Sequence, residues 1–169
     1  MKAAVRRLLL SVTMVVLGGC WVTAFATDKS PACVEMAENA QALILEKGQD
    51  YACKVFCASK GPFINQELYV FACSIDNKLL AHPYKRNLIG QSVNDFEDVK
   101  GKHVFRAFSD VAQQRGSGWV DYWWPKPGEK GEFPKTTYIK FIPKHNLYLG
   151  VGYYRALQVD QGANRAEVR

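Results

Sequence analysis

The sequence has few of the residue patterns by which enzymes and metal proteins are recognised. No glycine-rich phosphate loop occurs in its 169 residues, and Gly116-Ser117-Gly118 does not lie in the Gly-x-Ser-x-Gly frame of a nucleophile elbow. No two histidines have the spacing by which a helix binds a metal ion. The three histidines are His82, His103 and His145. We therefore expect no catalytic residue, no metal and no cofactor.

The net positive charge is also small when the N-terminal 26 residues are left out. The formal net charge is +6, and Lys2, Arg6 and Arg7 supply three of those charges within the first 26 residues, which contain no acid. The remaining residues carry 19 lysines and arginines against 16 aspartates and glutamates. A net charge of +3 gives little support to a nucleic-acid partner, which would require a concentrated basic face.

Long apolar runs are missing except near the N-terminus. There a basic segment precedes a short apolar one, and Ala24 and Ala26 are small residues at the two positions that signal peptidase reads. We expect residues 1–26 to be a signal peptide cleaved after Ala26. The mature chain is then expected to be periplasmic or secreted, without a transmembrane helix. Lipid attachment at Cys20 is the alternative, and an uncleaved anchor is a further one.

Cleavage after Ala26 would leave four cysteines, an even number in an exported chain. They are Cys33, Cys53, Cys57 and Cys73. Cys53 and Cys57 are four residues apart and would share one face of a helix, whereas Cys73 falls in a predicted strand. We expect at least one disulfide, from Cys53 or Cys57 to Cys73, which would contribute about 3 kcal/mol. Buried free thiols are the alternative.

The hydrophobic period predicts an ordered series of helices and strands. A helix that Gly48 breaks or bends is followed by a hairpin around Asp76-Asn77, an inserted helix and three more strands. The proline-rich residues 125–134 are predicted to be loop. The predicted elements span residues 33–58, 67–75, 78–82, 102–115, 119–124, 136–142 and 148–154, and a polar tail occupies residues 156–169. This order predicts an α+β fold with an antiparallel sheet of about five strands and helices on its faces.

Aromatic residues crowd the strand over residues 119–124. By alternation Tyr122 and Trp124 share one face, and Trp119 lies on the other. A sheet lined with tyrosine and tryptophan is typical of a small-molecule pocket, and plain core packing is the alternative. Basic residues at the ends of these elements would suit a carboxylate ligand, although each is also compatible with a solvated surface position. They are Arg106, Lys126 and Lys135.

Several motifs resemble, in order and spacing, those of a single Cache domain of type 2. They are Tyr69-Val-Phe71, Leu79-Leu-Ala-His82-Pro83, Leu88-Ile-Gly90, Gly101-Lys-His-Val-Phe-Arg106, Gly118-Trp-Val-Asp-Tyr-Trp-Trp-Pro-Lys-Pro127, Pro134-Lys-Thr-Thr-Tyr138 and Gly150-Val-Gly-Tyr153. The resemblance covers about residues 38–155. It implies an N-terminal helix packed on a PAS-like antiparallel sheet, with a pocket on the sheet's other side that binds small molecules, often short organic acids. It also implies an extracytoplasmic sensor of the kind found in chemoreceptors and histidine kinases.

The sequence departs from the usual plan of that family. Its first helix is short, no membrane helix follows Tyr154, and Asp76-Asn77 stands where Asp-Gly is common. We therefore expect residues 27–155 to form a free-standing, exported Cache-like domain that binds a short organic acid or similar polar metabolite without catalysis. A membrane receptor or kinase is the expected partner. A protein-interaction module with a vestigial pocket is the alternative, and an uncharacterised enzyme is the third reading.

The expected ligand-binding residues combine the aromatic pattern with the resemblance. Lys135, in the Pro-Lys-x-x-Tyr motif, is expected to pair with a carboxylate, and Arg106 to add a second contact. His82 is expected either to close one end of the pocket or to be a hydrogen-bonded residue at the hairpin's end. The aromatic residues would form walls and contribute hydroxyl groups. The full expected set is Tyr69, His82, Arg106, Trp119, Tyr122, Trp124, Lys135 and Tyr138.

Overall fold

A computed structural model describes residues 28–156. The signal peptide, its cleavage after Ala26, lipid attachment at Cys20 and all of the predicted tail except its first residue lie outside them. The helices are α1 (Ser30–Lys47), α2 (Gln49–Phe56) and α3 (Val104–Arg115). The strands are β1 (Ile64–Asn65), β2 (Leu68–Ser74), β3 (Leu79–Ala81), β4 (Ser117–Pro125), β5 (Glu132–Ile142) and β6 (Leu147–Tyr154). In this part of the chain no helix is both long enough and apolar enough to cross a bilayer.

The predicted interruption of the first helix is confirmed at Gly48. This residue ends α1 and precedes α2, with a φ of 84° that favours glycine over residues with a Cβ atom. The buried face of α1 repeats at intervals of three and four residues and consists mostly of small side chains. Its buried residues are Cys33, Ala37, Ala40 and Ile44. Small residues on this face let the helix approach the sheet closely.

The sheet is antiparallel, with strand order β1-β2-β6-β5-β4 and with β3 also paired to β2. The predicted α+β class is therefore confirmed, with the short β1 as an additional strand. The loop predicted over residues 125–134 is wrong at both ends, because β4 extends to Pro125 and β5 begins at Glu132. Pro134 lies within β5 opposite Trp123, and its carbonyl accepts a hydrogen bond from the N–H of Arg155.

Strand alternation divides the interior into two cores. On β2, Val70 and Ala72 face the side that α1 and α2 cover, which we call the helix face. Tyr69 and Phe71 face the side that α3 covers, which we call the cavity face. The same alternation continues on the neighbouring strands, so each core is built from every second residue of the sheet.

The four cysteines of residues 28–156 are free thiols. Cys57 is buried in the core on the helix face and Cys53 packs against it, whereas Cys73 belongs to the core on the cavity face. The disulfide expected between α2 and β2 is not formed, because the sheet lies between the two sets of side chains. The structure agrees with the alternative of buried free thiols.

Asn77 joins four parts of the fold from its position in the β2–β3 turn. Its φ is 62°, and its side chain is buried. The Asn77 amide donates to Asn94 Oδ1 (2.8 Å) and to Ser109 Oγ (3.2 Å) on α3. Its Oδ1 accepts the hydroxyl of Tyr148, on β6, at 2.7 Å. A glycine in this turn would accommodate the backbone but would make none of these bonds.

Asn77→Gly should therefore lower the free energy of unfolding by about 2 kcal/mol, because the buried Tyr148 hydroxyl and the side-chain oxygens of Ser109 and Asn94 lose a partner. Backbone strain would not contribute, since glycine tolerates a positive φ. Urea unfolding measures the effect. Asp76→Gly is the matched control, because Asp76 is exposed in the same turn and should cost much less. Equal losses in the two variants would contradict a bridging role for Asn77.

Candidate functional site

A small internal cavity lies between α3 and the cavity face of the sheet. Its volume is about 10 Å³, enough for roughly one water molecule. We call it the inner cavity. Its lining residues are Tyr69, Phe71, His82, Phe105, Phe108, Tyr122 and Trp124. The lining is mainly aromatic, with a few polar atoms from tyrosine, histidine and tryptophan.

The identity of the lining residues follows from the side-chain alternation of β2 and β4 and from the helical periodicity of α3. Alternation on β2 and on β4 turns one aromatic pair from each strand toward α3. The helix contributes Phe105 and Phe108, three residues apart on one face. Phe108 meets Tyr122 edge to face, with ring centres 5.1 Å apart and an interplanar angle of 80°. Such contacts fix the walls of the cavity.

A larger depression at the surface adjoins the inner cavity. Its volume is about 280 Å³, and it shares Tyr69, His82 and Trp124 with the inner cavity. We call it the outer recess. Its other lining residues are Tyr84, Lys85, Pro125, Lys126, Pro127 and Gly128. The three shared side chains separate the inner cavity from the outer recess.

Lys135 is the one lysine of the described chain that is classed as buried, with 1% of its surface exposed. It starts on β5, on the cavity face, and Nζ donates a hydrogen bond of 2.8 Å to the hydroxyl of Tyr69 on β2. Nζ also lies 3.9 Å from the ring centre of Tyr69 and 4.8 Å from that of Tyr154. The amine is therefore held by one hydroxyl and two aromatic faces.

Gly152, on β6, makes room for that side chain. A Cβ atom added there would lie 3.0 Å from Cε of Lys135 and only 2.1 Å from Oγ1 of Thr137. Because β6 lies between β5 and β2 in the sheet, Lys135 reaches Tyr69 by crossing β6 where that strand has no side chain on this face.

The surroundings of Lys135 disfavour its charged form. Among residues 28–156 no carboxylate forms an ion pair with Nζ, and Glu67 is paired instead with Lys29 at 2.5 Å and Lys126 at 4.0 Å. Burial lowers the pKa of Lys135 to about 7, and weaker opposing effects come from Cys33 and Glu67. Near neutral pH this amine is therefore present in both charged and neutral forms.

His82 is held as a neutral donor. Its Nδ1 accepts the backbone N–H groups of Tyr84 and Lys85, both at 3.1 Å. Two donors on Nδ1 leave the ring proton on Nε2. Burial, assisted by the charges of Lys135 and Lys85, lowers the pKa of His82 to about 3. The residue thus ends the hairpin strand through hydrogen bonds and also lines the inner cavity.

The structure brings together five of the eight expected residues. Four line the inner cavity, and Lys135 lies beside it through its bond to Tyr69. The four lining residues are Tyr69, His82, Tyr122 and Trp124. The other three expected residues, Arg106, Trp119 and Tyr138, lie elsewhere.

Arg106 is on the outer side of α3. Its guanidinium pairs with Asp95 at 2.6 Å and its Nε donates to the carbonyl of Asn94 at 3.1 Å. The structure does not bring Arg106 to the inner cavity, because the neighbouring Phe105 occupies the inward face of the helix. The positions of the apolar residues in α3 already indicate that Arg106 lies on the outer side of the helix.

Trp119 and Tyr138 lie on the helix face of the sheet. They are directly opposite each other on β4 and β5, with ring centres 5.1 Å apart, and Trp119 is 39% exposed. Alternation places both residues on the face opposite Tyr122. The structure therefore does not bring these two residues to the inner cavity.

Four aromatic residues near the site were not in the expected set. Phe71 follows Tyr69 by two residues, so alternation could have identified it. Phe105 and Phe108 belong to the apolar stripe of α3, which resembles ordinary core packing. Tyr154, whose ring lies by Lys135, pairs with it across β5 and β6, a register that the sequence alone does not reveal.

Comparison with known proteins finds a matching family model and a similar chemotaxis protein. A family model described as a Cache domain matches residues 37–161. The methyl-accepting chemotaxis protein McpP of Pseudomonas putida is 30% identical over 117 residues, which are 69% of this chain and 21% of that protein. The chain thus spans about a fifth of the length of that relative.

Two solved structures share the fold over most of their own length. A periplasmic sensor domain of a chemotaxis protein is 25% identical, with a TM-score of 0.61 over 75% of this chain and 90% of that one. A Cache chemosensory domain, solved to explain its recognition of carboxylic acids, is 26% identical, with a TM-score of 0.62 over 75% of this chain and 88% of that one.

The buried amine predicts a distinctive pH dependence of stability. Unfolding returns Lys135 to water, where its pKa is 10.5, so between pH 7 and 10 the unfolded state binds more protons than the folded state. The stability of the wild-type protein should consequently gain about 2 kcal/mol from this residue between pH 7 and pH 9. Lys135→Met, which keeps the apolar length without the charge, should lack this gain.

Urea unfolding of both proteins at pH 6, 7, 8 and 9 measures the difference. Lys130→Met is the control, since Lys130 is exposed in the β4–β5 loop and its loss should leave the gain intact. Parallel stability curves for the wild type and Lys135→Met would show that the folded protein does not disfavour the charged amine.

Proposed function

Since the chain belongs to the Cache domain family, we propose that it is a sensor-type domain that binds a short carboxylate in the inner cavity, without catalysis. The observation that carries this proposal is the buried amine of Lys135, which has neutral partners beside an aromatic cavity. An ion that is buried without a counter-charge is costly. A ligand carboxylate would supply the missing charge.

The other polar groups of the site complement a carboxylate. The hydroxyl of Tyr69 and the Nε2–H of His82 are donors that a carboxylate oxygen would accept from. The Tyr122 hydroxyl, 2.9 Å from Thr137 Oγ1, adds a further polar atom on the β4 side. The phenylalanine rings would surround a short alkyl chain. The site therefore favours one acidic group carried on a small apolar body.

The size of the inner cavity requires the site to open for its ligand. A volume of about 10 Å³ is smaller than any organic acid, so side chains must move outward on binding. The outer recess provides the route, and Tyr84 packs edge to face on Tyr69 at its rim, with ring centres 5.1 Å apart. Lys85 and Lys126 line the recess and would attract an anion toward it.

The relatives support the same reading. The solved Cache chemosensory domain recognises carboxylic acids, and the 30% identical relative is a methyl-accepting chemotaxis protein. We propose that this domain likewise acts outside the cytoplasm, delivered by a signal peptide that is cleaved after Ala26. A chemoreceptor or histidine kinase in the membrane would be its signalling partner.

A protein-interaction module is the second candidate, and Trp119 is the observation that favours it. Its indole is 39% exposed on the helix face, away from the inner cavity. A small inner cavity would also be expected of a vestigial pocket. The two candidates differ in whether any small acid stabilises the isolated domain.

Thermal unfolding in the presence of acetate, propionate or butyrate separates these candidates. At a concentration 100 times its dissociation constant, a bound acid should stabilise the domain by about 2.7 kcal/mol. Acetamide, propionamide and butyramide are matched controls of similar shape without the charge, and they should have no effect. Stabilisation by none of the acids would favour the interaction module.

Lys135→Ala and Tyr122→Ala should each weaken binding of the best acid by at least about 2 kcal/mol, or roughly 30-fold, because each removes a buried polar contact. Calorimetric titration measures the affinity. Arg106→Ala and Trp119→Ala are the controls, since the structure places both residues away from the inner cavity. An affinity that is the same in Lys135→Ala as in the wild type would place the ligand elsewhere.

A further inference from the structure

We propose that binding of a carboxylate draws one proton from solvent onto Lys135, so that the domain responds to pH and to the acid together. The inference rests on the proposed function, because it concerns the same inner cavity. It adds a second input to the site, the concentration of protons.

The geometry around the amine of Lys135 is the basis for this proposal. A charged lysine has three N–H donors, and within residues 28–156 Nζ makes one hydrogen bond, to the Tyr69 hydroxyl. The aromatic faces of Tyr69 and Tyr154 stabilise a cation only weakly compared with water or a counter-ion. The side chain is also 1% exposed, so bulk solvent does not reach the amine. In keeping with this, burial lowers the pKa of Lys135 to about 7.

The titratable groups that surround Lys135 do not change their protonation state near neutral pH. Burial raises the pKa of Tyr69, Tyr122 and Tyr154 above the usual tyrosine value. Burial also raises the pKa of Cys33, on α1, to about 11. The pKa of His82, at the end of β3, is lowered to about 3. These groups therefore stay neutral between pH 6 and pH 8.

The fixed charges near the site lie at its rim. Glu67 is engaged by Lys29 and Lys126, and Lys85 follows His82 on the β3 side. Lys85 lowers the pKa of His82 through its charge, and Glu67 acts weakly on Lys135 in the opposite sense. Lys135 is thus the group of this cluster whose protonation changes near neutral pH.

The proton balance of binding follows from these positions. A carboxylate that enters the inner cavity carries one negative charge and no proton. Beside it the amine of Lys135 is stabilised as an ammonium, so its pKa rises toward the ordinary value and the neutral fraction takes up a proton. With a starting pKa near 7, binding takes up about 0.9 proton at pH 8 and about 0.1 at pH 6. The dissociation constant should consequently be about tenfold larger at pH 8 than at pH 6.

Calorimetric titration of the wild-type domain with acetate and with propionate tests this coupling. Each titration is run at pH 6 and at pH 8, in two buffers with different heats of ionisation, which reports the number of protons taken up. Both acids are predominantly ionised at these pH values, so the protein supplies the change. We expect tenfold weaker binding at pH 8, with an uptake close to one proton there.

Two variants assign the proton to its residue. Lys135→Met should bind the acids about 30-fold more weakly than the wild type, as expected for Lys135→Ala, with no tenfold difference between the two pH values and without proton uptake. Lys130→Met, altered in the exposed β4–β5 loop, should retain the wild-type coupling. A tenfold difference that persists in Lys135→Met would overturn the assignment.

The outcomes also separate this inference from the function on which it rests. Binding of acetate or propionate by the wild type with equal affinity at pH 6 and pH 8, and with no proton uptake, would overturn the coupling and leave the carboxylate site intact. Binding of neither acid at either pH would overturn the carboxylate site itself.

Discussion

The burial of one lysine amine is the constraint around which the cavity face of the sheet is organised. Lys135 must be kept from water and from acidic side chains, while its Nζ still reaches a hydroxyl on a strand two positions away. Three strands meet that requirement together. Lys135 belongs to β5. On β6, Gly152 leaves room for the lysine side chain and Tyr154 provides an aromatic ring. On β2, Tyr69 provides the hydroxyl. A shift of β5 by one residue would place the amine on the other face, and the same shift of β2 or β6 would move the hydroxyl of Tyr69 or the gap at Gly152 away from it.

His82 and Lys135 have different electrostatic properties within the same site. His82 is fixed as a neutral donor because backbone N–H groups occupy its Nδ1. Among residues 28–156 the amine of Lys135 has one hydrogen-bond partner, the hydroxyl of Tyr69, and no backbone group fixes its protonation state. The histidine is thus held neutral, whereas the pKa of Lys135 is about 7. Both properties arise from burial, which disfavours charge on each residue, and they differ because only the histidine accepts hydrogen bonds from the backbone.

Much of the fold could be predicted from strand alternation and helix periodicity. The contacts of Lys135 in the site could not. Alternation on β4 correctly placed Tyr122 and Trp124 on one face, and Gly48 correctly marked the break between two helices. The same alternation separates Trp119 from the inner cavity and Cys73 from α2, so the choice of Trp119 as a site residue and the disulfide expected to Cys73 both gave residue type more weight than position. The path of Lys135 over Gly152 is different, because it depends on the pairing of strands that are distant in sequence. No local pattern contains that pairing.

The glycines of β6 bear on how the specificity of this site can evolve. A Cβ atom at Gly150 would lie 2.1 Å from the ring of Phe71, and one at Gly152 would meet Thr137 and Lys135. Neither position can acquire a side chain without displacing the groups that hold the site together. A change in the shape of the inner cavity must therefore come from the side chains that line it, which belong to β2, α3, β4 and the end of β3. In a lineage of such domains, β6 would keep its two glycines while the aromatic lining varied.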